Sequence, residues 1–452
     1  MDAAPQVERA AGSRDEAARI LRLAGPVMVA YLGTISMGTV DMKMAGTISP
    51  AALGAVALGH MWSIASAIIA WGAARALDPV VAQAHGAGDV RAAGLGLTRG
   101  LAMAALLGVP IVALYAAAGP ALRLLGQPEA LVGTAAAYCR TLILGLPAIL
   151  AFAVVRNFLQ ALGIVRPATY AILLANVGNA ALNWVLMFGK LGFPALGVVG
   201  SALSTSLNQW LMLGSLVFFA RRSLFAYWPG WAGAFERAPL ARLSKLGLTL
   251  GFQFGFEVWA FHAAGFMMGR LGAVPFAAHA IAINLATISF MIPSGIGAAS
   301  ATRVGHLVGA ELPWRRAAWT SIGLGAAVMA VPTASFVLAA RPFASFYSSD
   351  AAVIAAAVSI LPLAGAFQLF DGVQAVAFGV LRGAGDTRLP VAANVVGYWL
   401  LGLPAGGVLA FSLGWGARGV WSGLVIGLAA VAALLVARVV QLGRRRVGRL
   451  AI

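Results

Sequence analysis

Apolar runs of about 20 residues, each long enough to cross a bilayer, recur along almost the whole chain. Six fall near residues 23–46, 52–76, 97–118, 131–155, 167–188 and 195–219, and six more near 243–268, 276–298, 317–340, 352–380, 390–412 and 416–438. The apolar residues are continuous within each run rather than alternating, which predicts α-helical spans and excludes a β-barrel. The expected fold is therefore an all-α polytopic membrane protein with twelve transmembrane helices. Residues 1–22 form a polar N-terminal segment, 23–219 a first lobe and 243–438 a second lobe. Residues 220–242, rich in Pro, Gly, Trp and Arg, read as an interfacial linker, and 439–452 as a basic tail.

The two lobes echo each other. VAQAHGAGD after the second run matches RVGHLVGA after the eighth, with His85 and His306 lying 221 residues apart. LQALGIVR after the fourth run matches LRGAGDTR after the tenth, with Gly163 and Gly385 lying 222 apart. Two matches at nearly one offset indicate duplication of a six-span unit. Six is even, so the copies run in the same direction as two parallel-repeat six-helix bundles.

Composition fits this picture: 61% of the 452 residues are hydrophobic and only 10% charged, against about 25% charged in soluble domains. The net charge of +17 invites a nucleic-acid partner, but the cations collect at alternate helix ends, which excludes one. Placing both termini in the cytoplasm puts 24 of the 31 Lys and Arg on inner segments. Only Arg123, Arg140, Lys190, Arg270, Arg341 and Arg418 then lie outside, with Lys43 near an outer membrane edge. Cys139 is the single cysteine, so no intramolecular disulfide or Cys-based metal site is expected. No apolar segment with a small-residue cleavage site precedes the first span, which is expected to insert by itself.

Against this apolar background three carboxylates stand inside spans: Asp41, Glu257 and Asp371. Each costs several kcal/mol in hydrocarbon unless it faces a polar cavity or a partner. Each is therefore either a structural hydrogen-bond acceptor between helices or a cation ligand or proton carrier. Asn176, Asn179 and Asn183 recur at i, i+3 and i+7 on one face of the fifth span, as helix glue or as cavity residues. Gln253 and Asn284 are candidates to line the cavity around Glu257. Phe367, one turn before Asp371, either packs in the core or meets a cationic ligand. His262 and His279 read as interhelical histidines or pH sensors. GxxxxGK[ST], HExxH and GxSxG are all absent from the sequence, so ATP-driven, metalloprotease and esterase readings lose their motifs.

VDMKMAG, FLQALGIVRP, NVGNAALNW and PALGVVGSALST resemble the first half of multidrug and toxic compound extrusion (MATE) transporters. FEVWAF, AAHAIAINL, FMIPSGIGAASATRVGHLVG, FDGVQAVAFGVLRGAGDTRLP and YWLLGLPAG resemble the second half, and the match runs from about Pro26 to Gly414. The acidic residues of the seventh and tenth spans are similar to the NorM-like bacterial branch. This resemblance implies a non-enzymatic exporter of cationic amphipathic drugs in a bacterial inner membrane, acting by alternating access. It implies coupling to Na⁺ or H⁺ entry at Glu257, Asp371 and Asp41, with Na⁺ favoured at Glu257 and Asp371. It also implies Asn179 and Asn183 as first-lobe cavity residues, no organic cofactor, and a chain expected to act as a monomer. The alternative within the superfamily is a flippase of lipid-linked oligosaccharide or lipid, which would favour a cavity lined by arginines. A membrane-bound enzyme would need a His, Asp or Ser constellation that the sequence lacks. The chain departs from the family after Asp41, where Met42 and Lys43 replace small neutral residues. Residues two apart point to nearly opposite helix faces, so Lys43 is expected to snorkel outward rather than pair with Asp41.

Overall fold

A computed structural model describes residues 12–450, and the described residues form helices with no strand among them. The first eleven residues of the expected N-terminal segment and the last two of the tail lie outside the described residues. Among the described residues nine helices are each long and apolar enough to cross a bilayer. A tenth span is a bent pair, Glu129–Leu142 and Leu146–Ala161, meeting at 54°. Gly197–Tyr227 and Arg237–Leu271, at 31 and 35 residues, bring the spans to twelve. Ser, Thr, Asn and Gln within these two helices lower their hydropathy while leaving them long enough to span.

Local chemistry sets many of the ends. Ser49 caps Pro50–Ala74 by accepting from the Ala52 N–H, with Pro50 opening the first turn. Asp89 caps Val90–Ala116 at the Ala92 N–H, and Asp350 caps Ala351–Gly383 at the Ala352 and Val353 N–H groups. Gly189, in the left-handed region at φ +67°, closes Arg166–Phe188.

Three features differ from the hydropathy pattern. The first helix begins at Ser13, inside the expected polar segment, because Glu16 in its first turn is buried in an ion pair with Arg303 at 2.6 Å. The linker is shorter than expected, since its flanking helices extend to Tyr227 and restart at Arg237. Between them Arg99 ties the turn down by donating to the Gly233 carbonyl and pairing with Glu236 at 3.1 Å. The eleventh span alternates between α-helix, at Arg388–Asn394 and Leu403–Gly407, and π-helix, at Val395–Gly402 and Val408–Ser412. Pro404 lacks an N–H and its ring crowds the preceding turn, so the wider π turn is one way to absorb it.

The described chain separates into two compact units. One holds Val29–Leu77 and Asp89–Gly251. The other holds the described residues through Met28, the segment Asp78–Gly88 and the chain from Phe252 onward. Close packing in the second unit rests on glycine. Gly419, Gly423 and Gly427 fall at every fourth position of the twelfth span, so they share one face. A Cβ at Gly423 would run into the backbone of Gly406, and one at Gly427 would meet the carbonyl of Gly397. Between the eighth and tenth spans, a Cβ at Gly379 would run into the Gly297 carbonyl. With no hydrophobic effect to drive helices together in lipid, such backbone approach supplies the van der Waals contact that does.

Candidate functional site

The carboxylates occupy two separate constellations, one in each compact unit. In the first, Asp41 on helix Ser13–Ile48 is 6% exposed. Asn183 donates its amide to Asp41 Oδ1, and Thr205 of Gly197–Tyr227 donates its hydroxyl to Oδ2 at 3.3 Å. Asn179, one turn before Asn183, lies beside this pair and accepts from Asn183 Nδ2 at 3.4 Å. The fifth span brings these residues together because Asn179 and Asn183 are a helical turn apart on one face. Asn176 is not part of the group: its amide is turned back to the Ile172 carbonyl of its own helix. Lys43 is exposed while Asp41 is buried, in keeping with the divergence of residues two apart on a helix.

In the second, Glu257 and Asp371 are 8% and 4% exposed and lie within each other's electrostatic reach. Asn394 of the eleventh span donates to Glu257 Oε2 at 3.2 Å. Tyr398, fully buried, lies in the field of both carboxylates. Gln253, one turn before Glu257 on the same helix, is 3% exposed. The backbone beside Glu257 is pinned by Trp399, whose indole N–H donates to the Phe256 carbonyl at 3.1 Å.

The remaining candidates fall elsewhere. Phe367 is 2% exposed and packs edge-on against Phe261 and Trp421, so core packing accounts for its ring. Asn284 is exposed, and its amide oxygen accepts from the Tyr347 hydroxyl at 2.8 Å. His279 is buried against Trp421 and His262 is exposed.

Thr205, Asn394 and Tyr398 were not among the sequence candidates. Asn394 and Tyr398 interrupt an apolar run with two polar groups four residues apart, a spacing that could have flagged them. Thr205 sits in the Ser- and Thr-rich run SALSTSLN, where nothing local separates it from its neighbours.

Chemically, both constellations are poor in cations and rich in oxygen. Among the described residues no three His, Cys, Asp or Glu side chains gather as a metal-ligand set. A cation entering either site would therefore be held by one or two carboxylates and by neutral oxygens. Hard cations of low charge take ligands of that kind.

Known proteins share this architecture. The MatE family model matches residues 26–185 and again 250–408, one copy in each half of the chain. A probable multidrug resistance protein NorM of Mesorhizobium japonicum is 38% identical over 444 residues, covering 94% of each chain. The multidrug resistance protein PmpM of Pseudomonas aeruginosa is 35% identical, covering 96% of this chain and 93% of its own. NorM of Vibrio cholerae is 33% identical over 93% of this chain and 94% of its own. The crystal structure of the eukaryotic MATE transporter AtDTX14 superposes with a TM-score of 0.86 at 24% identity, over 95% of this chain and 96% of that one. With the duplicated family match and relatives of this similarity spanning nearly its whole length, the chain belongs to the MatE family of multidrug efflux transporters.

Proposed function

We propose that the chain exports lipophilic cations by exchange against inward-moving Na⁺, with Glu257 and Asp371 as the coupling pair. The observation that carries this reading is the burial of two carboxylates in each other's field, surrounded by neutral oxygens, inside membrane-spanning helices. Such a pair is costly unless a cation compensates it, and the ion and a cationic drug compete for the same negative charge. Occupancy by one therefore disfavours occupancy by the other, which is the condition for exchange. Asp41, held by Asn183 and Thr205, is an auxiliary cation site in the other unit.

Acidic rather than basic character sets the cargo. Among the described residues the buried arginines are Arg99, Arg303 and Arg382, which face Glu236 at 3.1 Å, Glu16 at 2.6 Å and Asp78 at 3.0 Å. Their charge is thus compensated within the protein, which disfavours a flippase of anionic lipid-linked sugars. The protein is expected to act as a monomer in the bacterial inner membrane with both termini cytoplasmic, from the Lys and Arg bias of its connections.

Dye efflux from vesicles driven separately by Na⁺ and pH gradients tests the reading. A Na⁺ gradient alone should drive efflux. Full efflux on a pH gradient in sodium-free vesicles would assign the coupling to protons instead.

A further inference from the structure

The second constellation contains more oxygen than its hydrogen bonds use. Gln253 Oε1, Asn394 Oδ1 and the Tyr398 hydroxyl are all buried and have no hydrogen-bond partner among the described residues. These residues are 3%, 1% and 0% exposed. Buried polar atoms without partners are rare, and each costs about 1–3 kcal/mol unless something satisfies it. Asn394 bonds to Glu257, Tyr398 lies in the field of both carboxylates, and Gln253 is one turn from Glu257 on the same helix. Asn394 spends its amide N–H on Glu257, which turns its oxygen into a further unfilled acceptor.

Three spans contribute these residues. Gln253 and Glu257 are one turn apart on the seventh span, Asp371 comes from the tenth, and Asn394 and Tyr398 come from the eleventh. The eleventh span is π-helical from Val395 to Gly402, and π segments gather at functional sites. Five consecutive residues, Asn394 through Tyr398, place two side chains on the same side of that widened helix. Phe261 packs against Tyr398 with ring centroids 5.7 Å apart and fixes the phenol in place.

We infer that Gln253, Asn394 and Tyr398 are the neutral oxygen ligands that complete a monovalent-cation site at Glu257 and Asp371, and that they set its preference for Na⁺ over H⁺. This deepens the proposed function and rests on it for the identity of the ion. A protonated carboxyl donates its one O–H to a single acceptor and so can use only one of these oxygens. A sodium ion needs several oxygens at once, so it is the neutral ligands that discriminate between the two. Tyr398 then acts as a specificity-determining group, and Asn394 both orients Glu257 and offers an oxygen to the ion.

The test is Na⁺ binding to purified protein in detergent, read as Na⁺-dependent thermal stabilisation with choline chloride as the control. It compares wild type with Tyr398→Phe, Gln253→Leu and Glu257→Gln. The Tyr398 hydroxyl has no protein partner among the described residues, so its removal breaks no internal hydrogen bond there. A purely structural role therefore leaves ion binding unchanged and the ion-free protein at least as stable. The inference instead expects Tyr398→Phe and Gln253→Leu each to weaken Na⁺ binding about tenfold, the loss of one good ligand. The stability of Tyr398→Phe in choline should stay at or above wild type. Glu257→Gln should abolish the Na⁺ response. Wild-type Na⁺ affinity in Tyr398→Phe and Gln253→Leu, with the response still lost in Glu257→Gln, overturns the neutral-ligand shell and leaves the coupling pair standing. Absence of any Na⁺ response in wild type removes both.

Discussion

Asp78 and Arg382 form an ion pair at 3.0 Å with side chains only 1% and 6% exposed. Asp78 opens the short helix Leu77–Gly86 that follows the second span, and Arg382 closes the tenth. Beside the pair, Gln83 donates to the Gly383 carbonyl at 2.9 Å and accepts from the Leu450 N–H at 2.8 Å. The connection after the second span is thus fastened to the end of the tenth and to the tail of the chain, all within one compact unit.

Asp78→Asn should destabilise the protein. It leaves a buried guanidinium facing a neutral amide, and removing one partner of a buried pair costs about 3–5 kcal/mol. The expected outcome is a clear fall in the thermal unfolding temperature in detergent. Unfolding at the wild-type temperature would show that other contacts of Arg382 carry its charge.

Glu257→Gln and Asp371→Asn should reach the membrane at wild-type levels and lose gradient-driven export of a cationic dye. Both changes preserve shape and remove only the charge, so folding is retained. Efflux assays in cells matched for expression check this, and wild-type rates in both variants would remove these residues from coupling.

Lys43→Thr should leave transport and its pH profile unchanged. Lys43 is exposed and Asp41 buried, and two-residue spacing separates them by roughly 200° around the helix. Asp41→Asn in turn should weaken export without abolishing it. A displaced pH profile in Lys43→Thr that disappears in the double variant would show the two charges to be coupled.

Gly423→Ile should fold poorly. Its side chain would have to occupy space held by the backbone at Gly402 and Gly406, where no rotamer relieves the overlap. Overpacking of a filled interior costs about 1–3 kcal/mol, and more when the obstacle is backbone. Membrane yield and monodispersity after extraction provide the readout, with Gly323→Ala as a comparison at a site with open space around it.

Hydropathy is a local property, and what it encodes is legible in the residues alone. Unbroken apolar runs require helices in lipid, because no other spanning structure except a closed barrel satisfies the backbone from within. The twelve spans, the duplication and the three intramembrane carboxylates therefore stand out in the sequence. The Asn179 and Asn183 pairing is legible too, since one helix supplies both. What joins the carboxylates is not. Asn183 meets Asp41 across 142 residues and Asn394 meets Glu257 across 137, and no periodicity within one helix specifies which face of another will be opposite. For the same reason Asn284, plausible by position, is held instead by Tyr347, while Thr205 and Tyr398 join sites that composition did not assign them. The early start of the first helix depends on Arg303, 287 residues away, and the π turns of the eleventh span lie beside glycines of the twelfth. Apolar character decides that a segment enters the membrane; only packing between distant segments decides which polar atoms meet there, because each contact depends on two helix faces at once.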